Sequence, residues 1–205
     1  MAAILTKLSN TVIAGIVALI VMFVIVGATA GGGAFDHTWW SFLFRYLHVL
    51  SGVMWIGLLY YFNFVQIPNM PNIPDEQKPA VGKVIAPAAL FWFRWAAMST
   101  IVTGLIVALM QGYLVEAIAI GFTDEGNSTA IGIGMWLGAI MWFNVWFVIW
   151  PNQKRALGIV EADAASKAKS ARTAMLFSRT NTLLSIPMLF CMIAQQNGGF
   201  VGFGG

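Results

Sequence analysis

The stretch RYLHVLSGVMWIGLLYYF, residues 45–62, places an arginine and one of the chain's two histidines inside a run apolar enough to cross a bilayer. Ionisable side chains are expensive there, so each needs a partner or a task. Arg45, His48, Gly52 and Trp55 follow i, i+3, i+7, i+10 spacing and share one helix face. Ser51 and Gly52, one turn past His48, remove bulk beside the imidazole. Two readings compete. In one, a flat ligand such as a haem approaches this face and binds through the imidazole nitrogen. His48 is then the candidate metal ligand, with Arg45, Ser51, Gly52 and Trp55 around it. In the other, the histidine hydrogen-bonds a neighbouring helix and the small residues serve close packing.

His48 lies about nine residues into a span that begins near Trp39, so about 14 Å deep at ~1.5 Å per residue. A neutral imidazole is expected at that depth. Arg45, one turn toward the outside, is placed to pair with an anionic edge of the same ligand, such as a haem propionate.

Other constellations carry less. Arg94 in FWFRW and Arg179 in FSRTNT either snorkel to headgroups or clamp an anion. Asn144 in MWFNVWF, and Thr180, Asn181, Thr182 and Ser185, suit hydrogen bonding between helices. Gly134 and Gly138 form a GxxxG pair, for packing within the chain or for a dimer face. There is no HExxH, no paired carboxylate and no phosphate-binding glycine loop. Cys191 is the single cysteine, which excludes an internal disulfide and a cysteine-based metal cluster.

The elements that must position these residues follow from composition. The chain has 205 residues, 59% hydrophobic and only 9% charged, with mean hydropathy +0.79. Soluble domains carry about 25% charged residues, so this is an integral membrane protein. The reading is all-α: a bundle of five transmembrane helices at about 11–30, 39–67, 88–112, 131–150 and 174–195 in one domain. Pro151 stops the fourth span and Pro187 bends the fifth. Residues 68–79 read as proline-rich and non-helical, and residues 156–173 as a cytoplasmic extension of the fifth helix. The tail NGGFVGFGG is flexible by composition. The first span reads as an uncleaved anchor, because its apolar run exceeds a signal core.

Orientation follows from lysine and arginine. With the N-terminus inside, the inner segments hold Lys7, Lys78, Lys83, Lys154, Arg155, Lys167, Lys169 and Arg172, which are 8 of the 11 basic residues. The outer segments hold none. That asymmetry gives N-in and C-out. The basic residues form no dense patch, so nucleic acid is not an expected partner; the lipid bilayer is.

Four blocks carry a family resemblance: FLFRYLHVLSGVMWIGLLYYF, LFWFRWAAMSTIVTGL, GMWLGAIMWFNVWFVIWPNQKR and SRTNTLLSIPMLFCM. In this order they resemble the N-terminal membrane domain of the bacterial membrane-bound urate oxidases, whose chains continue into a cytochrome c domain. The RxLH and WxG pattern is similar also to membrane-bound haem-containing protoporphyrinogen oxidase and to copper-resistance membrane proteins. The resemblance implies a helical bundle with a place for haem b on His48, a link to cytochrome c, and the inner membrane of a bacterium. It also implies that Arg179 faces the interior, with Asn181 or Thr182 on a neighbouring face, and so adds Arg179 and Asn181 to the site. The chain departs from the family in lacking CxxCH, and Phe91, Gly132 and Thr180 stand at positions matching family histidines. A second imidazole would have to come from a partner chain.

Two functions follow: a membrane electron-transfer protein with haem on His48, or a non-catalytic accessory subunit that packs against other membrane subunits. Both require the same topology. Cysteines introduced at Ser170 and at Gly204 are expected to label from opposite sides of the membrane; labelling from one side rules the orientation out.

Overall fold

The computed structural model describes residues 2–30, 35–198 and 200, and every regular element among them is helical. The chain divides into two compact units, Met1–Trp40 and Ser41–Gly205. The first holds α1, Leu8–Ala30. Its Leu8–Gly27 stretch has mean hydropathy 2.6 and is long and apolar enough to cross a membrane. Phe23, Phe35, Trp39 and Trp40 form an aromatic cluster in the same unit, Phe23 edge-on to Trp39 at 5.5 Å.

The main helices that follow are α2 (His37–Tyr60), α3 (Ala86–Gln111), α4 (Leu114–Ile118), α5 (Thr129–Phe143), α6 (Trp150–Ala156) and α7 (Ala164–Ala194). Asp36 Oδ1 accepts from the Trp39 amide at 2.8 Å and caps the start of α2. Five helical stretches are long and apolar enough to span a membrane: Leu8–Gly27, His37–Asn72, Lys78–Gln111, Thr129–Ala156 and Ala164–Asn197. The five expected spans are therefore present as helices, and most of the differences lie at the ends.

One such difference corrects the reading of residues 68–79. Helix persists to Asn72 and resumes at Lys78. Pro79 falls at the start of the resumed helix, where a missing N–H breaks no hydrogen bond, and Pro68 and Pro71 lie where the preceding helix changes type. Three wide π-helical turns precede prolines: Tyr61–Gln66 before Pro68, Val81–Ile85 before Pro87 and Asn144–Ile149 before Pro151. A proline leaves a carbonyl one turn back without its donor, and a widened turn lets that strand of the helix relax.

The expected extension of the fifth helix is present only in part. Gly158 takes a positive φ of 73° and ends α6, and α7 starts afresh at Ala164. Asp163 caps it, Oδ1 accepting from the Ser166 amide at 2.8 Å and Oδ2 from the Ser166 hydroxyl at 2.7 Å. The Ser166 amide and hydroxyl hold that carboxyl below its ordinary range. Ser170 is buried, so the exposed Lys169 beside it is the better labelling position; Gly204 lies outside the described residues.

The second unit is knit by α7. Ala174, Ser178, Asn181, Ser185, Met188 and Cys191 form its buried face. Gly134 of α5 packs on it: a Cβ there would lie 3.2 Å from Cys191 Cβ. Gly134 therefore serves packing within the chain. Asn181, Ser178 and Ser185 on this face each bond across to a neighbouring helix. The Asn144 amide donates to Asn181 Oδ1 at 2.8 Å, and Asn181 donates to the Met141 carbonyl at 2.9 Å. Asn63 donates to the Leu59 carbonyl at 2.9 Å and to the Ser178 hydroxyl at 2.8 Å. Ser185 gives its proton to the Thr182 carbonyl at 2.7 Å, so the Tyr60 hydroxyl, 3.0 Å away, donates to Ser185. Trp55, Leu59, Phe93, Met141 and Val145 close the apolar core around these pairs.

Asn181→Leu leaves the Asn144 amide buried without its acceptor. It is expected to destabilise the bundle by about 1–2 kcal/mol, read as a lower Tm in detergent. The double variant Asn144→Leu/Asn181→Leu, which removes both partners, is expected to recover part of that loss.

Candidate functional site

His48 reaches from α2 to α3. Its Nδ1 lies 2.9 Å from the Thr100 carbonyl oxygen. A carbonyl only accepts, so Nδ1 carries the proton and Nε2 keeps the lone pair of the neutral ring. Thr103 Oγ1 stands 3.5 Å from the same nitrogen and is committed to the Ser99 carbonyl at 2.6 Å. Gly104 explains how the ring gets so close to α3. A Cβ there would lie 2.8 Å from His48 Cε1 and 3.0 Å from Nδ1, so only glycine leaves the imidazole its place.

The ring borders a cavity of about 1000 Å³ between α2, α3, α5 and α7. Arg45, Gly52 and Trp55 line it too, with Gly138 and Trp142 of α5 opposite. Nothing lies within 4 Å of where a Cβ of Gly52 or Gly138 would stand, so these positions give the cavity its width. Tyr113, Trp136 and Gln195 line it near the turns around α4. Burial pushes the Tyr113 phenol up, and the Arg45 charge opposes that. Gln195 ties this end together, accepting from the Ile131 amide at 3.1 Å and donating to the Asn127 carbonyl at 3.1 Å. Trp136 donates to the Ile118 carbonyl at 3.1 Å.

Of the seven expected site residues, His48, Arg45, Gly52 and Trp55 thus border one cavity. Three do not. Ser51 turns to α3 and shares a hydrogen bond with Ser99, oxygen to oxygen 2.8 Å. Arg179 is exposed, which corrects the expectation that it faces the interior. Asn181 is fully buried, but both ends of its amide are committed to α5. The bulk missing beside the imidazole is that of Gly104, on another helix, and not of Ser51. Thr100 acts through its backbone, so no side-chain pattern could have singled it out; the glycine in TIVTGL was the one visible signal.

The donor set suits some ligands and not others. Among the described residues no three His, Cys, Asp or Glu side chains converge on a metal position. A bare metal ion needs such a group, whereas a porphyrin brings its own equatorial nitrogens and asks the protein for an axial ligand. One imidazole with Nδ1 fixed on a backbone carbonyl fits that second demand.

The urate oxidase N-terminal family matches residues 120–201, which is less than half of the chain. The match takes in α5, α6 and α7 with the Asn144–Asn181 pair, and leaves His48 and Arg45 outside it. It covers two of the four blocks that resemble that family in sequence, GMWLGAIMWFNVWFVIWPNQKR and SRTNTLLSIPMLFCM. No curated protein and no solved structure matches the chain. Gly132, where the sequence resemblance implies a histidine in the family, packs so closely that a Cβ would run into the Ala117 carbonyl. This chain cannot hold an imidazole there without moving α4.

The ring's fixed tautomer is directly measurable. In ¹⁵N-histidine NMR of protein with nothing bound in the cavity, the neutral form of His48 is expected with Nδ1 protonated and Nε2 bare. Gly104→Ala is expected to push the ring off Thr100 and abolish that fixed state, while Gly52→Ala leaves it unchanged.

Proposed function

We propose that the chain is a membrane electron-transfer protein of the urate-oxidase membrane-domain type, holding b-type haem on His48 and passing electrons to a cytochrome c. The observation that supports this best is the His48–Thr100 hydrogen bond beside the wide cavity. It presents one bare imidazole nitrogen in an apolar, membrane-depth setting. A hydrogen bond of this kind would orient an iron-ligating imidazole and raise its basicity. When bound, the haem supplies a one-electron couple. The chain's own residues do the rest. Trp55 and Trp142 line the cavity, Gly52 and Gly138 add no side chain to it, and Arg45 brings a positive charge to one edge, suited to a propionate.

On this reading the cavity end near Arg45 and Tyr113 faces the outside of a bacterial inner membrane, where cytochrome c docks, with the N-terminus in the cytoplasm. The lysines and arginines of the inner segments support that orientation. A second imidazole for the iron is left to a partner chain, since the other histidine, His37, is the first residue of α2 and about three turns from His48.

The purified protein, reduced with dithionite, is expected to show a Soret band and a sharp α band, and His48→Ala to lose both. Gly104→Ala is expected to weaken them. Folded wild-type protein with no Soret band overturns the proposal and leaves the accessory-subunit function standing.

A further inference from the structure

Two cations at the opposite end of the bundle share one indole. Arg94 Cζ lies 3.3 Å from the centre of the Trp150 ring and 5.9 Å from that of Trp146. Lys154 Nζ lies 5.7 Å from the same Trp150 ring. An aromatic face attracts a cation, but it cancels no charge. Neither cation meets a carboxylate among the described residues, where the ion pair is Lys78 with Asp75. Arg94 Nε is buried with no acceptor. The sequence holds no acid from residue 77 to 115 or from 126 to 160. The counter-charge for this pair must therefore come from outside the segments that build it.

Its position narrows the source. Arg94 lies about two turns into α3, and Trp150 and Lys154 lie on α6, at the end of the bundle that carries Lys83, Lys154 and Arg155. Phe91, Trp92 and Trp95 flank it with exposed rings, as in an interfacial aromatic belt. Rings, basic heads and missing acid together describe the depth of lipid phosphates.

We propose that Arg94, Trp150 and Lys154 form a binding site for the phosphate of an anionic phospholipid. Arg94 is held flat by the indole, so its guanidinium edge is oriented for phosphate oxygens, and Lys154 closes on the same group as a second charge. The site is separate from the His48 cavity and does not depend on what that cavity holds.

The test is the Tm of the detergent-solubilised full chain with added lipid. Phosphatidylglycerol is expected to raise Tm by a few degrees through selective binding to the folded state, and zwitterionic phosphatidylcholine to leave it unmoved. Arg94→Gln is expected to lose most of the shift and Lys154→Gln about half. Should Arg94→Gln not fold, Lys154→Gln alone carries the comparison. Equal shifts with both lipids, or a phosphatidylglycerol shift preserved in Lys154→Gln, overturn the proposal. So does an equal shift with inorganic phosphate, which would make the site one for a free anion.

Discussion

An amide buried between apolar helices has no water to turn to, and Asn181 is such an amide. It is wholly buried, and in a bilayer an unmatched N–H or C=O costs several kcal/mol. Its two bonds to α5 therefore set the rotation of α7 as well as its distance. Once that rotation is set, Ser178 and Ser185 fall opposite Asn63 and Tyr60, and Met188 and Cys191 fall against the small residues of α5. Apolar packing alone would tolerate a slip between such smooth helices. Hydrogen bonds at fixed positions do not, which is how polar residues give specificity in membranes.

The same logic holds α2 to α3 by a different set of pairs. His48 meets a backbone carbonyl, Ser51 meets Ser99, and Gln111 donates to Ser41. These ties run along one side of α2. On the face that His48 shares with it, Gly52 has no neighbour to fill the gap. The cavity is thus what remains when two helix pairs are fastened by side chains on their flanks and glycines stand between.

Much of this was legible in the chain, and the errors have definite geometric causes. Arg45, His48, Gly52 and Trp55 share a face because helical spacing says so, and they border one cavity. Ser51 was grouped with them by adjacency, yet it sits ~100° around the helix from Gly52 and turns to α3. Arg179 was grouped with Asn181 on the family resemblance of the block that holds them both. Two residues apart on a helix means ~160° apart, so a buried Asn181 puts Arg179 outside. The small and polar run Ala174, Ser178, Asn181, Ser185, Met188, Cys191 carried the buried face of α7 in plain view. Thr100 was hidden because its backbone oxygen does the work, and Gly104 because its importance lies in the ring pressed against it from another helix.

The wide turn at Asn144–Ile149 changes how this chain lines up with any other. Such a turn holds one residue more than an α-turn, and each residue advances an α-helix by ~100°. Below it, Trp150 and Lys154 stand on a face that an uninterrupted α5 would have aimed elsewhere. The same offset occurs at Tyr61–Gln66 and Val81–Ile85. Insertions are ordinarily sought in loops, but a wide turn of this kind can hold an extra residue inside a long apolar helix as a shift of phase. A homologue lacking one of these turns would differ by a gap in mid-helix, and its downstream residues would look out in a new direction while the span kept its length.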